Sequence, residues 1–374
     1  MPVDPVRRWI DWYALNEPGV FGDTCFSLPF GPLQVRSNWA PLMERLGETF
    51  VALDKPSSQT DRSVEVEVTY IERTPGEHGL DLPAEWRRLA VDAAHERRGL
   101  PEEFQHLAKD GLECLWRPRD LAVFFSEDGS VPARILFDVR RDGRIPLRST
   151  VHQPVAHHRV IVSEIIDLVR ALYLRCHGHF CMHAAAVEVG GRAAVVLGQS
   201  GSGKSTTALS LARTGARLLS DELVLLEAGR TENLTIRGLF VPPRICGPEL
   251  SDLRSLESSL GRPSGTKSRA LGFTAEQRLR ADRIELPPAA LFFLDGLNSG
   301  RSDHQLEPLP STEAFSRLMA QLIDPMWARR KEEVFATVAS LVDACPCFSL
   351  KPGTDLDGLA GLLLATLDRS GSEP

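Results

Sequence analysis

Gly198-Gln199-Ser200-Gly201-Ser202-Gly203-Lys204-Ser205-Thr206 sits between an apolar run, Ala193 to Leu197, and a helix-like run, Thr207 to Ala212. Gly198 and Gly203 flank four residues, and a lysine and a hydroxyl residue follow. This is the phosphate-loop pattern. It needs a strand ahead of it and a helix behind it, because the loop amides and the helix N-terminus together form the anion cradle. Both flanks are present. In that frame Gly198, Gly201 and Gly203 let the backbone turn and approach phosphates, Lys204 reaches the β- and γ-phosphates, and the Ser205 hydroxyl is placed to ligate Mg²⁺. The nine residues from Gly198 to Thr206, Gln199, Ser200 and Ser202 included, are the expected nucleotide contacts.

Upstream, Ala184 to Val189, Gly190-Gly191 and Arg192 to Leu197 predict a hairpin whose second strand delivers the loop. Downstream, Gly215 stops the helix, and Ala216 to Leu219 predicts a strand ending in Ser220-Asp221-Glu222. A second strand, Leu223 to Leu226, leaves that turn. The acids return to the sheet edge that carries the loop, where a carboxylate can orient or deprotonate an attacking hydroxyl. Ala289 to Asp295 is an apolar strand ending in an acid, the shape of a second NTPase motif in which Asp assists Mg²⁺.

Cys176, His177, His179, Cys181 and His183 fall close together, and on an extended strand 177, 179, 181 and 183 would share a face. A zinc site is conceivable, but structural zinc usually draws ligand pairs from two segments, and no second cluster exists. The seven cysteines are scattered without a Cys-x-x-Cys pair, as expected of reduced thiols.

At 374 residues the chain exceeds one compact core, and about 150 residues per domain suggests two. The net charge of −7 argues against a nucleic-acid binder with a basic surface. No run approaches the roughly 18 apolar residues of a membrane span, so a cytoplasmic protein is expected. Residues 1–150 carry no nucleotide motif. Trp9 to Leu15 is an apolar start, Phe26 to Val35 predicts two short strands, Pro41 to Phe50 a helix, and Val64 to Tyr70 a half-buried strand. Glu77 to Asp110 is a charged, proline-broken excursion, and 121–125 and 133–139 are strands joined by a turn, so an antiparallel sheet with some helix is expected. Ser163 to Arg175 has helical apolar spacing. Ser251 to Ala270 is a solvated surface loop or a lid that closes on phosphate. Helices are expected over 312–323, 328–343 and 356–367, with a strand over 347–350.

His183-Ala184-Ala185-Ala186-Val187, the loop, and Leu218-Leu219-Ser220-Asp221-Glu222 together resemble the catalytic domain of the HPr kinase/phosphorylase family, especially its HPr-kinase-related members. His183 lies 21 positions before Lys204, and Asp221 lies 17 after it. The resemblance covers roughly residues 155–300. It implies an α/β fold: a P-loop kinase domain of the HPr kinase/PEP carboxykinase-like type, a mixed sheet with flanking helices, over 155–374. A smaller α+β domain over 1–150 precedes it, for acceptor recognition or oligomerisation.

The same resemblance implies that Asp221 is the acid/base acting on a serine hydroxyl. Glu222 takes the place of a second Asp near the metal, Ser205 is a Mg²⁺ ligand, Lys204 clamps phosphate, and His183 lies close to the reacting phosphate. Ile236-Arg237-Gly238-Leu239 echoes a family motif, but Thr235 stands where the family carries a metal-holding acid, and Glu222 or Asp295 is left to compensate. The expected activity is ATP- and Mg²⁺-dependent transfer of the γ-phosphoryl group to a serine-type hydroxyl of a protein or peptide, with homo-oligomerisation open. The alternatives are a small-molecule hydroxyl kinase and an ATP-sensing regulator without transfer. Arg237, Arg244 and Lys267 are candidates for positive charge at the transition state.

Overall fold

A computed structural model of the chain describes residues 22–53, 63–73, 105–109, 112–117, 121–126, 132–140, 154–199, 201–239, 244–245, 269–270, 284–296, 303–323 and 330–370. The Trp9 to Leu15 start, most of the Glu77 to Asp110 excursion, Ser200, Lys267 and the rest of 251–268 lie outside them. The chain forms two compact units, Met1–His177 and Gly178–Pro374. Each is mixed α/β, with helices packed on a mixed sheet.

The first unit contains β1 (Gly22–Leu28), β2 (Gly31–Ser37), α1 (Ala40–Thr49), β3 (Val51–Leu53), β4 (Val64–Arg73), β5 (Gln105–Lys109), β6 (Leu112–Arg117), β7 (Leu121–Ser126), β8 (Ala133–Arg140) and α2 (Pro154–Cys176). Its sheet order is β3-β1-β2-β4-β8-β7-β6-β5. The expected antiparallel sheet is corrected at two pairings: β2 with β4 and β4 with β8 run parallel. A tight turn cannot join parallel strands. Here α1 and β3 carry the chain back before β4, and β5 to β7 intervene before β8. Strand β4 alternates as its sequence predicts, with Val64, Val66 and Val68 buried and Glu65 exposed.

Helix α2 buries Ile165, Ile166, Leu168, Val169, Leu172 and Leu174. Its Tyr173 hydroxyl donates to Gly31 O at 3.0 Å and accepts from Phe30 N at 2.8 Å, which ties the helix to the β1–β2 turn. Arg175 and Glu113 form a buried ion pair at 2.6 Å, and the guanidinium also lies 5.0 Å from the Phe125 ring centre. Removing either partner would strand a charge in the core.

The second unit contains β9 (His179–Val189), β10 (Arg192–Leu197), α3 (Lys204–Arg213), β11 (Arg217–Ser220), β12 (Leu223–Glu227), β13 (Ile236–Leu239), β14 (Arg244–Ile245), β15 (Arg269–Ala270), β16 (Glu285–Leu286), β17 (Pro288–Leu294), β18 (Gln305–Pro308), α4 (Ser311–Met319), α5 (Lys331–Ala344), β19 (Cys347–Lys351) and α6 (Leu356–Ser370). Its main sheet runs β16-β13-β12-β9-β10-β17-β19-β18, with β11 also on β9, while β14 and β15 pair separately. The central pairs β10–β17 and β17–β19 are parallel.

Side-chain alternation divides the apolar residues between two faces. Ala184, Ala186, Val195 and Leu197 point into the core shared with α4 and α5. Ala185, Val187, Ala194 and Val196 point into the one shared with α3 and α6. Strand β17 is buried along its whole length, as expected of a parallel strand covered on both faces.

Two expectations are corrected in this unit. The helix expected over 312–323 ends at Met319, because the next residues pair with β9: Gln321 O accepts from His183 N at 2.8 Å, and Ile323 N donates to Cys181 O at 3.2 Å. The hairpin strand expected to begin at Ala184 begins at His179, and His177 lies in a turn after Cys176 has ended α2, so it does not share that strand with 179, 181 and 183. Among the described residues no cluster of three His, Cys, Asp or Glu could hold a metal ion. No described helix is long and apolar enough to cross a membrane.

Candidate functional site

The sequence between β10 and α3 makes the turn that its glycines permit. Gly203 caps α3 in the left-handed region at φ 99°, and no side chain caps the helix. The first N–H groups of α3 therefore depend on partners from outside the helix, which is the condition for an anion site. Ser202 N donates to Gln199 O at 3.1 Å, folding the loop upon itself. The Ser202 hydroxyl is buried against Gly198, where a Cβ would come within 2.5 Å of the oxygen, and it has no hydrogen-bond partner among the described residues. Gly198 is thus required by close approach, and Ser202 presents an unused polar atom inside the cradle.

Lys204 is buried, and its ammonium donates to Gly198 O at 2.7 Å and Gln199 O at 3.0 Å. Burial lowers its pKa, while the Asp221 and Glu222 carboxylates oppose the shift. Both acids therefore lie within electrostatic reach of the ammonium. Asp221 is 8% exposed and follows β11 directly.

The turn that carries the acids is built on Ser220, which is fully buried. Its hydroxyl donates to Leu239 O at 3.0 Å and accepts from Leu223 N at 3.0 Å. Each such bond contributes about 1 kcal/mol, and losing the hydroxyl would leave a buried N–H and a buried carbonyl without a partner. Gly238 on β13 faces the same turn.

His183 stands opposite Leu223 in the β9–β12 pairing. Burial lowers its pKa and the Lys204 ammonium lowers it further, against the Glu222 carboxylate and a bond from the ring to the Glu222 carbonyl. The neutral imidazole is favoured in the fold. As pH falls below about 6.5, the unfolded chain takes up a proton that the folded site resists, so stability drops on the acid side. We expect His183→Gln to lose less thermal stability than the wild type between about pH 7 and pH 5. Parallel melting profiles across that range would contradict the burial argument.

His183, Asp221 and Glu222 thus each lie within electrostatic reach of Lys204, with Ser205 and Thr206 half-buried in the first turn of α3. The structure does not bring in every candidate. Arg237 pairs with Glu285 on β16. Thr235 accepts a hydrogen bond from Arg230 at 3.3 Å. Asp295 has both oxygens engaged: one accepts from Arg317 at 2.5 Å and the other from the Ser349 hydroxyl. The strand-end acid is therefore held by one arginine and one hydroxyl. A metal here would rely on Ser205 and Glu222. That donor set fits Mg²⁺, which commonly takes one or two protein oxygens together with substrate phosphates.

Ser220 and Gly238 lay within stretches that the sequence singled out but with no role of their own, and Gln321 and Arg317 had no signal, since their partners lie far along the chain. No family model matches the sequence, and no curated protein matches it. Among solved structures, the Hpr(Ser) kinase/phosphatase from Coxiella burnetii aligns over 51% of this chain and 95% of that one, at 12% identity and a TM-score of 0.25. At that score the likeness carries no inference about this chain.

Proposed function

We propose that the chain is an ATP- and Mg²⁺-dependent kinase that transfers the γ-phosphoryl group to a serine-type hydroxyl of a protein or peptide. One observation carries this: a lysine buried beneath an uncapped helix N-terminus, with two consecutive carboxylates acting on it. The loop amides and Lys204 hold phosphates, Ser205 and Glu222 supply metal oxygens, and Asp221 takes the hydroxyl proton. Bound Mg²⁺ would supply neutralisation of charge on the transferring group. His183, neutral, lies beside Lys204 and Glu222 as a hydrogen-bonding neighbour of the reacting phosphate. We assign residues 1–150 to acceptor recognition or self-association, and the kinase, expected over 155–374, to the unit Gly178–Pro374, since α2 falls in the first unit.

Lys204→Met tests the nucleotide part. Removing charge-assisted bonds to phosphate is expected to weaken ATP binding about 10- to 100-fold by calorimetry. Equal affinity in the folded variant would remove Lys204 from the site. Transfer of labelled phosphate from ATP to peptides, with metabolites as competitors, then distinguishes a protein acceptor from a small molecule. A second reading, a nucleotide sensor without transfer, draws on the engagement of Thr235 and Asp295 by other side chains. ATP binding with no transfer or hydrolysis would favour it.

A further inference from the structure

We propose that Arg317 is a second phosphate-binding cation of this site, held ready by Asp295 and Glu313 and specific for the terminal phosphate of ATP. The assignment rests on the nucleotide reading above and begins with register. Strand β17 runs parallel to β10 as far as Leu197 beside Phe293, so β17 ends next to the start of the loop. Leu294, its last residue, lies 3.1 Å from where a Gly198 Cβ would be. The Arg317 guanidinium is 2.5 Å from Asp295, the residue that follows β17.

The same arginine is fixed from two more directions. Glu313, one helical turn earlier on α4, accepts from its Nη2 at 2.7 Å and Nε at 3.0 Å. Gln321, one turn later in sequence, gives its carbonyl to His183 N at 2.8 Å. The segment that carries Arg317 is therefore tied to the end of β17 at Asp295 and to His183 through Gln321.

Charge gives this position a purpose. Asp221, Glu222, Asp295 and Glu313 outnumber Lys204 and Arg317 here, and a triphosphate adds more negative charge. Arg317 is 32% exposed, and Asp295 and Glu313 are 27% and 50% exposed. Such solvated pairs are weak, whereas a planar guanidinium on phosphate makes paired, charge-assisted bonds. A phosphate arriving here can therefore compete with the two carboxylates for the guanidinium, and the two acids keep the side chain from collapsing elsewhere.

The test is displacement of a fluorescent ATP analogue from the full-length protein by ATP and by ADP, with Mg²⁺ present. Arg317→Met should raise the Kd for ATP about 10-fold or more and that for ADP less than about 3-fold. Arg317→Lys, which keeps the charge but loses the fork, should fall between wild type and Arg317→Met, and it carries the same ATP-to-ADP comparison should the methionine variant not fold. Glu313→Gln removes one brace and leaves the arginine, so its loss of ATP affinity should be smaller than that of Arg317→Met. Equal losses for both nucleotides, no loss, or a Glu313→Gln variant that reproduces Arg317→Met would overturn the proposal while leaving the kinase reading intact. A wild-type protein that binds neither nucleotide would overturn both.

Discussion

Asp221→Asn is expected to lower phosphoryl transfer about 10²- to 10⁴-fold, the range over which a positioned general base acts, while the protein folds normally. Asparagine matches the shape of aspartate but cannot take a proton at neutral pH. The position is well defined before any substrate arrives. Asp221 is 8% exposed and follows a serine whose hydroxyl is bonded on both sides, to Leu239 O and Leu223 N. Its carboxylate also opposes the burial-driven fall in the Lys204 pKa, so its neutralisation should let that pKa fall further. Two measurements separate these consequences. Single-turnover transfer of labelled phosphate reports the base, and ATP affinity as a function of pH reports the lysine. A folded variant that transfers at the wild-type rate would show that another group accepts the proton.

The parts of the site legible in the sequence are those encoded by neighbours in the chain. The hairpin of β9 and β10, the loop and the start of α3 follow from two glycines, an apolar run and the helical run after Lys204, although β9 starts at His179, ahead of the expected Ala184. The acid pair was visible for the same reason, as the end of the strand after the helix. What was hidden depends on partners distant in sequence. Ser220 reads as an ordinary turn residue until Leu239, 19 positions on, is found accepting its hydrogen bond. Asp295 reads as a strand-end acid until Arg317 and Ser349 are found holding both its oxygens. In the first unit the alternation of β4 was plain, but alternation does not say whether the neighbouring strand runs parallel, and β2 and β8 both do.

Gly238→Ala should cause the largest loss of stability among single changes near the site. Gly238 lies on β13 with its backbone against β11, so that a Cβ would come 2.1 Å from Leu219 O and 3.1 Å from the Ser220 Cβ. The obstructing atom is main chain in a paired strand and cannot rotate aside, so β11 and β13 must separate. Overpacking of this kind costs about 1–3 kcal/mol, and the loss of the Ser220 to Leu239 bond adds about 1 kcal/mol. With about 2–4 °C per kcal/mol for a unit of this size, the melting temperature should fall by roughly 5–15 °C. Transfer should fall as well, because the displaced segment carries Asp221. Gly361 is an internal contrast: it is exposed on α6 and a Cβ there would meet nothing within 4 Å. Gly361→Ala should therefore stabilise by about 0.5–1 kcal/mol through helix propensity. Melting of the two variants beside wild type tests whether close approach, rather than glycine content, fixes the acid-bearing turn. Unchanged melting for Gly238→Ala would mean that β11 and β13 lie farther apart than this geometry requires.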